Sequence, residues 1–276
     1  MIEEPFVCLR TIGERTEHCL LKQIGGEISK ENIAIVNETP LTNTLKKAFS
    51  LAINKGNSWT LHIDADVLLL PGSLKGMTKK LMALPKDVFA AQFLVADYLL
   101  GDIRYAGNGA YRTDLLPLCL PFVAESVDKI RPVRHVIQRM EEKGYRFFDQ
   151  REEIVGIHDA EQFYRDIYRK ALVYAFKHLN KASEFIPYWR HKQGADYLVA
   201  LKGFSDGIVR TEPIQIDPKM IDQESFSAWL KSHNLAEKKD LSLVNDPYSI
   251  LSAILEDHYH ISKQKKVYRW ISRKDL

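Results

Sequence analysis

Three short apolar, β-prone runs at 6–11, 33–36 and 59–63 alternate with two helical patterns, and the third runs straight into Asp64-Ala65-Asp66. The first helical pattern spans 16–24 and is closed by Gly25-Gly26. The second spans 42–54, with Leu45, Ala48, Phe49 and Ala52 at helical spacing and Lys55-Gly56 as a basic last turn and stop. Strand-helix-strand alternation within some sixty residues predicts a mostly parallel sheet covered on both faces. Ligands of such sheets collect at the carboxyl ends of the strands. Those ends carry Arg10-Thr11, Asn37-Glu38 and Asp64-Ala65-Asp66, so the polar residues of three strands converge on one rim.

Beyond the third strand, Pro-Gly-Ser opens a helix over 71–84, and 88–95 reads as a strand. Gly107-Asn108-Gly109 marks a tight turn, and a helix over 133–142 stops at Lys143-Gly144. From 160 to about 181 the chain is helical and aromatic-rich, with Phe163, Tyr164, Ile167, Tyr168, Leu172 and Phe176 forming a stripe close to i, i+3, i+4. The division expected is an α/β domain over 1–158 and a mainly helical region over 159–276. At 276 residues, with 45% hydrophobic content, the chain can bury a core without disulfides or structural metal. Its net charge of +3 argues against a nucleic-acid binder that works through a charged stripe. Cys8, Cys19 and Cys119 are odd in number and lack CxxC spacing, which points to a reducing cytoplasm. Neither a signal peptide nor a membrane-spanning run is read in the sequence, so membrane contact is expected to be peripheral at most.

Two carboxylates one residue apart at the end of a buried strand repel each other unless positive charge sits beside them. A hard divalent cation with oxygen ligands resolves that repulsion and then binds phosphate oxygens. The plainer alternative is that Asp64 and Asp66 cap the next turn.

The segment Trp-Thr-Leu-His-Ile-Asp-Ala-Asp-Val-Leu-Leu-Leu-Pro-Gly-Ser-Leu, at 59–74, resembles the DxD segment of GT-A glycosyltransferases, notably those similar to family 2. Arg-Thr-Ile-Gly-Glu-Arg-Thr at 10–16, the helix before the DxD strand, and Gly-Asn-Gly-Ala-Tyr-Arg at 107–112 extend the resemblance over roughly residues 5–158. It implies an α/β fold of GT-A type, Rossmann-like, whose mostly parallel sheet is flanked by helices. It further implies a nucleotide-sugar donor, a saccharide or lipid-linked acceptor, and Mn²⁺ or Mg²⁺ as cofactor. Thr11 and Glu38 then face the nucleotide base and ribose, Arg15 the phosphate, Asp64 the ribose or metal, and Asp66 the metal. His158 falls where many GT-A proteins place a third metal ligand, and Asn108, Tyr111 and Arg112 belong to the donor or acceptor sugar.

The sequence departs from that pattern at the catalytic base. Where inverting members carry an acidic pair, before a helix ending in Lys143-Gly144-Tyr145, this chain reads Ile-Arg-Pro-Val at 130–133. Glu125 and Asp128 are the nearest acids to replace it, and both also read as loop or helix-cap acids. Three other classes compete, of which a nucleotidyltransferase shares the sheet type and metal chemistry but needs a Gly-rich N-terminal loop with a following Arg and Pro-Lys that this chain lacks. A haloacid dehalogenase-type phosphatase also carries a DxD at a strand end, although usually on its first strand, and a catalytically inactive GT-A module would explain the missing acidic pair. The tail at 258–276 interleaves basic residues with Tyr259, Tyr268 and Trp270, a pattern that suits an anionic membrane surface or a solvated terminal helix.

Overall fold

The computed structural model describes residues 3–211, 221–241, 244 and 246–258, so the basic tail beyond His258 lies outside the described residues. The strands in chain order are β1 (Phe6–Arg10), β2 (Ile33–Val36), β3 (Trp59–Asp64), β4 (Val67–Leu69), β5 (Val88–Asp97), β6 (Asp102–Tyr105), β7 (Asn108–Arg112) and β8 (Arg146–His158). The helices are α1 (Glu17–Gly25), α2 (Leu41–Lys55), α3 (Ser73–Met82), α4 (Leu116–Glu125), α5 (Pro132–Glu142), α6 (Tyr164–Lys177), α7 (Ala182–Lys192), α8 (Ala195–Val209) and α9 (Gln223–Ser232). A further helical stretch covers 247–258.

One 8-stranded sheet runs β2-β1-β3-β7-β5-β8-β4, with β6 paired to β5. β1 pairs in parallel with both β2 and β3, which sets Arg10 opposite Val36 on one side and Asp64 on the other. The ends of the first three strands therefore do meet on one rim. β7 runs antiparallel between β3 and β5, while β5 and β8 are parallel to each other. The chain leaves β5 through the short strand β6 and returns at once as β7, and so short a return cannot carry the long crossover that a parallel neighbour requires.

Alternation along β1 sends Val7 and Leu9 to one face and Phe6 and Cys8 to the other, as a strand buried on both sides requires. The first face packs on Leu20 and Ile24 of α1 and on Leu74, Met77 and Leu81 of α3. The second packs on Leu45, Ala48 and Phe49 of α2, Cys119 of α4 and Val136 of α5. All three cysteines are free and buried.

After residue 159 the described elements are helical. α6 to α9 form their own apolar cluster, which closes over Leu99 just beyond β5. α6 and α8 approach closely because a Cβ on Gly203 would meet the Tyr168 carbonyl oxygen, and one on Gly207 would lie 2.6 Å from that of Leu172. Ile254 of the last helical stretch packs back on Cys19, Leu68, Ala96 and Ile157. No helix of the described residues is long and apolar enough to cross a membrane.

Candidate functional site

The Asp64-Ala65-Asp66 turn is pinned by backbone hydrogen bonds from three separate segments. Asp64 N donates to Gly107 O (2.7 Å), Ala65 N to Arg10 O (2.8 Å) and Asp159 N to Asp66 O (3.0 Å). Thr16 Oγ1 adds a 2.6 Å bond to Ala65 O and itself accepts from Gln162 Nε2. Gly107, at φ 61°, sits against the turn so closely that a Cβ would lie 2.7 Å from His158 Cδ2 and collide with Val67. A side chain there would displace the site, which is the reason for a glycine.

A cleft of about 340 Å³ opens above this turn. Thr11, Glu38 and Thr39 from the first two strand ends and Thr44 of α2 line it with Arg10, Glu14, Asp64, Asp66, Gly107 and His158, and Arg104, Arg169, Lys170, Tyr174 and Lys177 complete the lining. Neither aspartate is without a charge partner. Arg10 Nε lies 2.7 Å from Asp64 Oδ1, and Lys170 Nζ donates to Asp66 Oδ2 at 2.5 Å while also bridging to Asp159. The premise that the pair lacks compensating charge is therefore corrected: α6 delivers an ammonium to it.

The other oxygen of Asp66 is uncommitted. Asp66 Oδ1 is buried with no hydrogen-bond partner and faces His158 Nε2 at 3.6 Å. Metal–ligand bonds of about 2.1 Å put two adjacent ligands of one ion roughly 3.0 to 3.6 Å apart, so this pair fits a divalent cation. Asp66, His158 and Asp159 also offer ligand atoms within 4.8 Å of one another. The far side of the imidazole is held by carboxylates, with Nδ1 2.9 Å from Asp97 Oδ2 and 3.1 Å from Asp159 Oδ2, the arrangement that orients a metal-binding histidine. Arg104 pairs with the same Asp97 at 2.7 Å.

These charges set one another. Burial opposes the imidazolium of His158, but Asp159 and Asp66 outweigh it and raise the group to about 10. Burial likewise opposes ionisation of Asp159, yet His158 and Lys170 hold that carboxyl well below its usual range. Asp66 is lowered in the same way, with burial opposed chiefly by Lys170. Asp159 sits in left-handed backbone at φ 64°, a conformation that costs free energy in a non-glycine residue and recurs at functional sites.

Among the sequence candidates, Thr11, Glu38, Asp64, Asp66 and His158 line the cleft. The others are engaged elsewhere. Arg15 reaches Glu161 Oε2 at 2.5 Å and Lys239 O at 2.7 Å. Asn108 is buried, accepting from Phe93 N and donating to Phe93 O and Ala106 O, so its amide ties β7 to β5. Tyr111 is buried against Phe49 and His62, and Arg112 stacks on Trp59 while donating to the carbonyls of Val88, Leu84 and Pro85. Glu125, exposed at the end of α4, faces Arg139 at 3.3 Å and His135 at 3.4 Å, and Asp128 is exposed. None of these six is among the residues that line the cleft.

Sequence reading missed Glu14, Asp97, Asp159 and Lys170. Glu14 lines the cleft within 2.9 Å of Thr11 Oγ1, and burial followed by the charge of Asp66 raises it to about 7. A charged pair in Gly-Glu-Arg at 13–15 gives no sign of which member turns inward. Asp159, directly after His158, was the one signal available.

The sheet order and the placement of the Asp-Ala-Asp turn make this a GT-A-like fold. No protein-family profile and no curated protein matches the chain. Solved structures do. A glycosyltransferase involved in glycosylation of the major capsid of PBCV-1 matches at 12% identity and a TM-score of 0.40, covering 56% of this chain and 92% of that one. A mannosyltransferase of Pyrobaculum calidifontis, solved with GDP-Man and Mn²⁺, matches at 12% identity and a TM-score of 0.41, covering 95% and 87%. A cytidylyltransferase from Leptospira borgpetersenii matches at 9% identity and a TM-score of 0.38, covering 78% and 99%. What those proteins bind is a property of theirs and does not transfer at such distances.

Proposed function

We propose that this chain is a metal-dependent glycosyltransferase that moves a sugar from a nucleotide-sugar donor to a hydroxyl of a saccharide or lipid-linked acceptor. The observation that carries the reading is the buried, unpartnered Asp66 Oδ1 facing His158 Nε2 in a cleft built from three strand ends. Asp66 and His158 would hold the ion, with Asp64 and Asp159 beside them. A divalent cation there supplies Lewis-acid neutralisation of the leaving diphosphate.

The protein's own groups do the rest. Thr11, Glu38 and Thr39 line the part of the cleft that takes the nucleoside, and Arg10 holds Asp64 in place. Glu14 is the cleft carboxylate whose raised value suits it to accept the acceptor hydroxyl's proton. The acceptor oxygen bonds to the anomeric carbon as its bond to the diphosphate breaks.

The test is calorimetric titration of UDP, GDP, CDP and ADP in Mn²⁺, in Mg²⁺ and in chelator. One nucleoside diphosphate should bind in metal and weaken by about 10-fold or more in chelator or in Asp66→Ala, the scale of a lost charge-assisted contact. Failure of all four to bind overturns the reading. A metal-independent transfer is the second reading, favoured by the Lys170 ammonium already seated on Asp66. Affinity unchanged in chelator but lost in Lys170→Met would select it.

A further inference from the structure

α6 presents Arg169, Lys170, Val173, Tyr174 and Lys177 to the cleft, a stripe at helical spacing that carries three cations. Lys170 is consumed by Asp66 and Asp159. Arg169 is buried, with its nearest carboxylate oxygen, on Asp166, 3.5 Å away, and Arg104, which lies against Tyr174 of α6, is committed to Asp97. Lys177 is different. It is half-buried at the end of the helix and lines the cleft; its carbonyl accepts from Arg131 at 2.8 Å, but its ammonium has no ion-pair or hydrogen-bond partner among the described residues. Burial first, and then the positive charges of Arg131, Arg104 and Arg169, push its ammonium down to about 8 against the opposing charge of Asp64. A lysine at a helix C-terminus is ordinarily a solvated residue that gains from the helix dipole. This one is instead partly withdrawn from water among other cations, a placement that costs free energy until an anion arrives.

The cleft is thus polarised. The strand-end part of its lining carries Thr11, Glu38, Thr39 and Thr44, the Asp64–Asp66 turn gathers the acidic and histidine set, and α6 adds three cations of which only Lys170 is ion-paired to that turn. The donor diphosphate is met at that turn. The unpartnered ammonium of Lys177 leaves a place for a second anion.

We propose that the α6 part of the cleft is an acceptor subsite for a phosphate group, with Lys177 as its direct ligand and Arg104 and Arg169 supplying the surrounding field. The proposal rests on the glycosyltransferase reading and names the class of its acceptor: a molecule that bears a phosphate ester near the hydroxyl that receives the sugar.

The experiment titrates glycerol 3-phosphate and inorganic phosphate into protein saturated with its nucleoside diphosphate and Mn²⁺, for wild type, Lys177→Met and Lys177→Arg. Glycerol 3-phosphate should bind the loaded wild type at least as tightly as inorganic phosphate. Its affinity should fall about 10-fold or more in Lys177→Met and be largely restored in Lys177→Arg, the scale of one charge-assisted hydrogen bond. Nucleoside diphosphate affinity should stay within about two-fold in both variants, which also shows that they are folded. Three results overturn the subsite: no phosphate binding to the loaded wild type, phosphate binding indifferent to Lys177→Met, or binding of inorganic phosphate alone. Loss of nucleotide affinity in Lys177→Met also overturns it, by assigning Lys177 to the donor. Any of these leaves the transferase reading standing, whereas failure of every nucleoside diphosphate to bind removes both.

Discussion

Lys170 changes what Asp66 needs, because an ammonium on one oxygen and a histidine facing the other mean that a metal ion enters a site already in charge balance. The cost of entry is a proton. His158, raised to about 10 from 6.5, is an imidazolium at neutral pH, and a metal ligand must be the neutral ring. Mn²⁺ affinity should therefore rise with pH up to about 10, with about one proton released per ion at pH 7. Calorimetry in buffers of different ionisation enthalpy reads that proton, and a pH-independent affinity would refute the assignment. The metal-free protein should respond in the opposite sense. A group raised in the folded state stabilises fully below its unfolded value, so the His158 contribution is present below about 6.5 and lost as pH climbs through about 10. Glu14 is the other residue-scale test. Glu14→Gln should keep nucleoside diphosphate affinity while turnover falls by about 10²-fold, and turnover near wild type would remove it as the proton acceptor.

At the scale of elements, the site depends on where α6 lies, and two glycines of α8 set that position. Gly203 and Gly207 are one turn apart and let the α8 backbone reach the carbonyls of Tyr168 and Leu172. Gly203→Ala should force the helices apart and cost about 1 to 3 kcal/mol in denaturant unfolding, the usual scale of overpacking. Because α6 carries Lys170, the same variant should loosen the Asp66–Asp159 bridge and alter metal affinity. An unchanged unfolding midpoint and unchanged Mn²⁺ affinity would show that α6 is held by other contacts. The helices were the legible elements: α2 follows the expected 42–54 pattern within a residue at each end, and α5 begins one residue early at Pro132, where proline is pre-shaped for a first helical turn. β8 was not legible. Its middle, Asp149 to Glu153, is entirely charged or polar, and its pairing with β5 carries register shifts, so no alternation survives to be read.

Over the whole molecule, the helical region after residue 159 is part of the cleft as well as a cover for it. It supplies Arg169, Lys170, Tyr174 and Lys177 to the lining, and its apolar cluster closes on Leu99. A fragment ending at Asp159 should expose that surface, aggregate, and lose nucleotide binding. Light scattering and calorimetry on the fragment check this, and a monodisperse, fully active 1–159 would sink it.

What the sequence determined by itself was the local order: strands and helices in alternation, and a carboxylate pair at the end of the third strand. Those follow from side-chain periodicity and from capping and turn chemistry, which act over a few residues. The tertiary structure decided which charges meet. Arg10 and Asp64 are adjacent because β1 and β3 pair in register, Asp97 and His158 because β5 and β8 do, and Asp66 meets Lys170, 104 residues later, because α6 folds over the rim. Gly-Asn-Gly-Ala-Tyr-Arg shows the same division. Its chemistry read as sugar contacts, whereas the antiparallel insertion of β7 turned Asn108 and Tyr111 into the sheet and left Gly107 against the site. Ion pairs of this kind depend on distance in space and on desolvation, and neither is encoded in sequence spacing.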